Sequence, residues 1–479
     1  MSHYERLKRS TIEHKNYTVV EGKTEKDILK EMRTEYEKRE LKHIGPWNNK
    51  GTLPTTYVNP KEKDTINKER TISSYYKVPM RIVYKRTQKV LTWLLRTLPE
   101  NYRHFTLHKI GDIKDRTAHI KEELQNTYGT DTEIIPFSSD VTAMYTHLCQ
   151  TEIRRAIRWL INIHKEQKQY RTTGKKRTPR KINKNIMTLN VEEDTIEWGR
   201  GNHDGEKKSS GTKRDIITLS FDDIIRVVDM DLKFTHSKVG KTILKQKKGC
   251  PIGGILSGSY ANIYCAKNEY DFLNEIGQTD INKRVQGIRQ MDDLILWVSY
   301  NKKEEKTKEQ AAQILNKLYN YETQETKVYT GGLNLEMQEI KYNKRRKTFK
   351  IDFAGTRIHG TTDTKTLYTT TLNKNIKHIR KYGTQKYTRY PHKETYIHDN
   401  VKRGVIIGNV MRTRTQNTHE ENLIKAIQED IEELECIGYT TEEIKGTLNR
   451  LKKKEDWRGI LKQVWNTKKH KQNIRHNLQ

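Results

Sequence analysis

"GIRQMDDLILWVSY", Gly287–Tyr300, sets two adjacent aspartates, Asp292 and Asp293, directly before the apolar run Leu294–Val298. A continuous apolar run of this length reads as a buried strand. Carboxylates at the mouth of such a strand repel, and each raises the other's pKa. By frequency alone an Asp-Asp pair is a turn or a helix cap. Three further features give it another meaning.

The first is "EIIPFSSDVTAMYTHL", Glu133–Leu148. Ile134, Ile135 and Phe137 predict a second buried strand, ending at Asp140. Two strands that each bring acid to one sheet edge build a three-carboxylate cluster. Divalent cations remove the repulsion, because the metal becomes the largest local charge. Oxygen-only ligands suit Mg²⁺ or Mn²⁺. Two such ions, ~3.5–4 Å apart, activate an attacking hydroxyl and steady a leaving pyrophosphate. The second feature is Tyr145, five positions after Asp140. Beneath an incoming sugar its ring would exclude a 2′-hydroxyl, the group that separates RNA from DNA. As a bare residue it reads equally well as core packing. The third is "QKKGCPIGGILSGSYANIY", Gln246–Tyr264. Gly249, Gly253, Gly254 and Gly258 crowd a turn before an apolar helix. Glycine lets backbone approach a nucleotide or template closely, and N–H groups at the helix start could face phosphate. The competing reading is a glycine-rich turn with no ligand.

In this order the segments resemble the palm of a reverse transcriptase. Asp140-x-x-x-x-Tyr145 resembles motif A, Gln246–Tyr264 motif B and "RQMDDLILWV" motif C. "GGLNLE" followed by "FKIDFAGTRIHG" is similar to motifs D and E. Finer likenesses point to the Penelope-like retroelements: "SSDVTAMYTHLCQTEI", "ANIYCAKNE", Trp297 in motif C, and the finger-like "VPMRIVYKRTQKVLTWLL". "RYPHKETYIHDNVKRGVIIGNVMRTRT", then a helix and "IGYTTEEI", is similar to their thumb. Departures are Gln290 in place of an aromatic, Ile255 and Gly258 where prolines are usual, and His147-Leu148-Cys149 after the tyrosine. No GIY-YIG endonuclease motif is present.

The resemblance implies an α+β right-hand polymerase with fingers, a palm built on an antiparallel sheet, and a helical thumb. It implies RNA-directed DNA synthesis, in which a primer 3′-hydroxyl on an RNA template attacks an incoming dNTP. Asp140, Asp292, Asp293 and the Val141 carbonyl would hold two Mg²⁺ ions, with Mn²⁺ as substitute. Lys77 and Arg81 would meet the triphosphate, although each also reads as an ordinary solvated base. Tyr145, Gln246 and Gly253 would shape the nucleotide pocket. Arg412 and Arg414 would grip primer–template phosphates. A separate endonuclease or an element RNA are further partners it suggests, in the nucleus for a retroelement enzyme. The alternatives are a viral-type RNA-directed RNA polymerase and a retired polymerase fold that only binds nucleic acid. The aromatic Tyr145 speaks against the first, and three intact acids speak against the second.

Composition agrees with a nucleic-acid partner. Lys and Arg number 92 against 61 acids, a formal charge of +31 over 479 residues. Such an excess favours a polyanion through counterion release, as it would in a basic scaffold protein. Four cysteines without a C-x-x-C pair argue against a zinc ribbon or a disulfide framework and fit a reducing, intracellular compartment. The first residues lack the apolar core of a secretory signal. No apolar run reaches 18 residues, so no membrane span is expected.

Along the chain, 1–70 reads as a basic N-terminal extension with some helix. Fingers and palm are expected over 71–375. Within them, Val90, Leu91, Leu94, Leu95 and Leu98 mark one amphipathic helix, and Ile153, Ile157, Leu160 and Ile161 another. A basic insertion at about 165–213 loses apolar pattern and reads as partly disordered. The helical thumb covers 376–455. Thr418 with Glu421 and Thr440 with Glu443 predict capping boxes, and Gly438 suits the position just past a helix end. Residues 456–479 read as a fraying basic tail.

Overall fold

The computed structural model describes residues 3–477 apart from 14, 61–68, 168–169, 172–179, 182–184, 192, 200–215, 277–283, 305, 308, 311–332, 334 and 454. It mixes helices with several sheets, and the chain divides into two units. The first comprises residues 1–106, 141–275 and 316–335; the second comprises 107–140, 276–315 and 336–479.

The first unit carries a five-stranded sheet in the order Tyr17–Val19, Thr242–Gln246, His236–Val239, Thr55–Pro60, Glu69–Ser74. This corrects the reading of 1–70 as an extension. Tyr17–Val19 pairs antiparallel with Leu244–Gln246, and Ile28, Met32, Tyr36, Leu41 and Ile44 are buried. The helices Arg81–Arg96 and Gln150–Glu166 bury Val90, Leu91, Leu94 and Leu95 on one and Ile153, Ile157, Leu160 and Ile161 on the other; Leu98, assigned to the first by its spacing, lies past that helix's end and is half-buried. Part of the predicted insertion is ordered as well. Ile186–Asn190 pairs with Thr195–Trp198 and with Ile216–Ser220. Met187 and Leu189 are buried, and Trp198 packs on Trp93 with ring centroids 4.8 Å apart. Met187, Thr188 and Leu189 are buried in succession at the centre of this three-stranded sheet; the surrounding lysines mask so short a signal in a composition reading. Residues 172–179 and 200–215 of that insertion lie outside the described residues.

The second unit is built on two sheets. One runs Val285–Gln290, Asp293–Asn301, Thr132–Val141, Leu335–Met337. The other runs Lys341–Asn343, Thr348–Phe353, Thr356–Thr361, Leu367–Thr371, all antiparallel. Alternate residues of the second sheet (Phe349, Ile351, Phe353, Ile358, Leu367) join Ile134, Ile288, Ile295 and Trp297 of the first in one core. Ile113, Ile120 and Leu124, on the helix Ile113–Tyr128, complete it.

The C-terminal bundle packs Ile406, Val410, Leu423, Ile427, Ile431, Leu434, Ile444 and Leu448 together. The Thr440–Glu443 capping box forms, and Gly438 takes φ +96 just after the helix Glu420–Cys436. The Thr418 box does not form. His419 is the N-cap, and the Thr418 hydroxyl instead accepts from Thr369 N at 2.9 Å. Sheet pairing outcompetes the local cap because it satisfies a strand N–H. Residues 456–479 are also corrected. The helix Glu455–Asn477 runs through them, and Trp457, Ile460, Leu461 and Val464 are buried in the bundle core. That i, i+3, i+4, i+7 spacing is a full helical stripe, hidden by the lysines around it. Trp457→Ala is accordingly expected to destabilise the second unit by roughly 3–5 kcal/mol. A lowered denaturant midpoint checks this.

Candidate active site

The hairpin Val285–Gln290/Asp293–Asn301 turns at Met291-Asp292 and is paired in the register Gln290 opposite Asp293. The neighbouring strand then sets Asp140 directly opposite Asp293, with Leu294 facing Ser139 and Leu296 facing Phe137. Directly opposed residues project to the same face of a sheet. Gln290, Asp293 and Asp140 thus form one row across three strands, with Asp292 in the turn beside it. All four are partly exposed, whereas Leu294–Val298 behind them are buried. The buried stretch fixes the register, because a one-residue slip would turn every apolar side chain outward.

The turn is held from inside. Met291 has φ +58, a left-handed conformation that costs a non-glycine residue about 1 kcal/mol. Arg289, fully buried, donates to the Met291 carbonyl at 3.1 Å. The Arg289 carbonyl in turn accepts from Leu107 N at 2.7 Å. Arg289 is the positioning residue that sequence reasoning missed. Its only signal was a lone cation inside a strand whose neighbours are otherwise buried.

The donor set of these acids is all oxygen, which fits Mg²⁺. Gln290 Oε1, in the same row, is buried with no hydrogen-bond partner among the described residues. Among the described residues no three His, Cys, Asp or Glu side chains are already gathered as a metal cage. The oxygen donors of the row are compatible with divalent-cation chemistry, with no closed structural site among the described residues.

In the first unit, Tyr145 lies on the short helix Met144–His147, half-exposed, after Ala143 at φ +49. The Gln246–Cys250 segment docks on this turn. Cys250 N donates to the Tyr145 carbonyl at 2.8 Å, and Gly249 N to the Leu148 carbonyl at 3.0 Å. A Cβ on Gly249, at φ +81, would stand 2.5 Å from the Tyr145 carbonyl oxygen. Gly253, at φ +97, is pressed against the Ser73 carbonyl, where a Cβ would come within 2.5 Å. Ser73 N donates to the Ile252 carbonyl at 2.8 Å. The need for glycine at these two positions arises from close approach of protein backbone. Gln246 is buried, and its Nε2 donates to the Lys248 carbonyl at 2.9 Å. Below the loop, Asp231 accepts from the Tyr260 hydroxyl at 3.0 Å; burial pushes its pKa up to about 7, and the Tyr260 and Tyr84 hydroxyls oppose that rise.

Lys77 is exposed. Arg81 opens the helix Arg81–Arg96, its guanidinium 5.0 Å from the ring centre of Tyr76, which is 71% exposed. In the second unit, Arg412 Nη2 donates to the Ala354 carbonyl at 3.1 Å, bracing the tip of the Thr348–Phe353/Thr356–Thr361 hairpin. Burial, and then Arg389, lower the Arg412 pKa. Arg414 pairs with Asp456 at 3.2 Å and lies 5.2 Å from the ring centre of Trp457. Both arginines thus have protein partners. Of the predicted residues, the three acids meet at one sheet edge of the second unit. Val141, the residue after Asp140, falls with Lys77, Arg81, Tyr145, Gln246 and Gly253 in the first. Of "GGLNLE", residues 331, 332 and 334 lie outside the described residues, and Leu335–Met337 forms the fourth strand of the acid-bearing sheet. No described helix is long and apolar enough to cross a membrane.

No family model matches the chain, and no curated protein matches it. Among solved structures it is similar to apo telomerase from Candida tropicalis, at TM-score 0.45 and 13% identity, over 91% of this chain and 66% of that one. The chain therefore spans just under two thirds of that protein. Telomerase from Candida albicans in complex with a fragment of telomeric RNA gives TM-score 0.44 and 14% identity, over 91% of this chain and 70% of that one. The RNA-dependent RNA polymerase of BmCPV in its elongation state gives TM-score 0.37 and 10% identity, over 85% of this chain and 28% of that one. Likeness this distant carries no weight for function, which is read below from the chain's own residues.

Proposed function

We propose that the chain is a template-directed nucleotidyltransferase, an RNA-directed DNA polymerase of the Penelope-like kind, that extends a primer 3′-hydroxyl with dNTPs. The observation that carries this reading is the pairing of Asp140 with Asp293 on adjacent strands, with Asp292 in the intervening turn. Asp140, Asp292 and Asp293 would hold two Mg²⁺ ions, with the Val141 carbonyl as a further oxygen. When bound, such ions supply an activated hydroxyl and charge neutralisation on the leaving pyrophosphate. The chain's own part is to fix the carboxylates. The buried strand Leu294–Val298 and the Arg289 brace hold them on rigid backbone, which is where precise positioning is best achieved. Lys77 and Arg81 are proposed to meet the triphosphate, and Tyr145, Gln246 and Gly253 to shape the nucleotide pocket. Arg412 is proposed to act on the primer–template through the hairpin tip it braces, and Arg414 to contact phosphate from the bundle. These contacts need no sequence readout, because base pairing reads the template.

The test is extension of an annealed DNA primer on RNA and on DNA templates, with dNTPs or rNTPs, with and without Mg²⁺. Mg²⁺-dependent dNTP incorporation on RNA supports the reading; incorporation of rNTPs alone refutes it. Tyr145→Val is expected to raise rNTP incorporation relative to dNTP by about tenfold or more, since an aromatic wall against the 2′-hydroxyl is removed. An unchanged ratio would leave Tyr145 as packing only.

A further inference from the structure

The second sheet of the second unit has two faces of opposite character. Its core face carries Phe349, Ile351, Phe353, Ile358 and Leu367. Side chains alternate along a strand, so the residues between them face away from the acid-bearing sheet. On that outer face Lys341, Lys350, His359 and Tyr368 form one row across all four strands, by direct pairing of each with the next. His359 and Tyr368 stack with centroids 4.7 Å apart and planes 4° from parallel. The row floors a groove of ≈ 650 Å³, walled by the helices Ile376–Tyr382 and Glu420–Cys436. A second hollow of ≈ 810 Å³ shares the row and adds Lys344 and Arg346.

Charge in this trough is mostly positive, with Asp352 and Glu429 the acids of the groove and Glu339 that of the adjoining hollow. Arg357 is neutralised by Asp352 through two hydrogen bonds of 2.6 and 3.0 Å, and Arg380 by Glu432. Lys341, Lys350, Lys374, Lys377 and Lys425 are exposed and form no ion pair among the described residues. Burial, with Lys350 and Arg357 alongside, lowers the His359 pKa to about 4, so the ring stays neutral and serves as a rigid floor. Lys341 directly opposes Lys350, an unfavourable arrangement that Asp352, already held by Arg357, offsets only in part. A repeating anion is what several lysines along one trough would match.

We propose that this trough binds the sugar–phosphate backbone of a single-stranded polynucleotide, at a site separate from the carboxylate edge. A single strand fits a groove between a sheet and helices, where a duplex would be held off by its diameter. The lysines contact phosphate, so RNA and DNA strands bind alike. This goes beyond the polymerase reading and does not depend on it.

The experiment is equilibrium binding of a fluorescent 12-nucleotide single strand, RNA or DNA, to the full chain without divalent ions, over a salt series. The variant is Lys341→Gln/Lys350→Gln/Lys377→Gln. Its control is Lys26→Gln/Lys30→Gln/Lys38→Gln, three exposed lysines of the helix Glu25–Lys38 that give the same change in net charge. The trough variant should bind both strands at least about tenfold more weakly, and lose roughly 2 from the log–log salt slope. The control should change little, and an unaltered unfolding midpoint in both variants excludes misfolding. Equal weakening in both variants would overturn the proposal, since net charge alone would then explain binding. So would a loss confined to duplex, or to inorganic triphosphate used as a competitor.

Discussion

Asp292→Asn is expected to reduce primer extension by at least about a thousandfold, in line with the removal of a group that stabilises transition-state charge. Template binding should be nearly unchanged, because the substitution removes a proposed metal ligand and no phosphate-contacting cation. The unfolding midpoint should also hold. Asp292 lies in a turn and is partly exposed, where substitutions usually change stability by less than about 0.5 kcal/mol. Asp140→Asn should lose extension equally. Retained extension in either variant would remove the carboxylates from the chemistry. Loss of extension accompanied by loss of fold would make them structural.

Gly249→Ala is expected to be the most damaging single-methyl change near the candidate site. The residue sits at φ +81, and its added Cβ would lie 2.5 Å from the Tyr145 carbonyl oxygen and 2.8 Å from Thr146 Cα. Both are backbone atoms, so no side-chain rotation relieves the clash. The left-handed conformation adds about 1 kcal/mol, and displacing the docked turn would break hydrogen bonds from Cys250 and Gly249 at about 1 kcal/mol each. A total of roughly 3 kcal/mol follows, measurable as a fall in the thermal midpoint. Gly446→Ala, at an exposed position of the helix Thr441–Leu448 with open space around it, should be neutral to stabilising. If the two behave alike, the docking of the glycine loop on the Tyr145 turn is wrong.

The acid edge was legible because its signal is local. Each strand announces itself by an apolar run, and each run has an acid at its end. Pairing between the two runs is not local. It depends on which faces are buried, and Phe137 opposite Leu296 settles it only in three dimensions. Glycine positions were legible as turns, but not the reason for them. Gly249 and Gly253 are dictated by Tyr145 and Ser73, far away in the chain. The same distance hid the role of Thr418, whose hydroxyl serves Thr369 rather than its own helix. The N-terminal strand Tyr17–Val19 is three residues long, too short for any periodicity. The Trp457–Val464 stripe was within reach of sequence reasoning, and the density of lysine around it drew attention to charge instead of spacing.

The central claim is that Asp140 and Asp293 share divalent cations at the edge of one sheet. Anomalous scattering from Mn²⁺, in crystals of the chain with an annealed primer–template and a non-hydrolysable dNTP, tests this most directly. Two peaks ~3.5–4 Å apart, both within coordination distance of those carboxylates, are predicted. Peaks bound elsewhere, with the Asp140–Asp293 pair left uncoordinated, would contradict it.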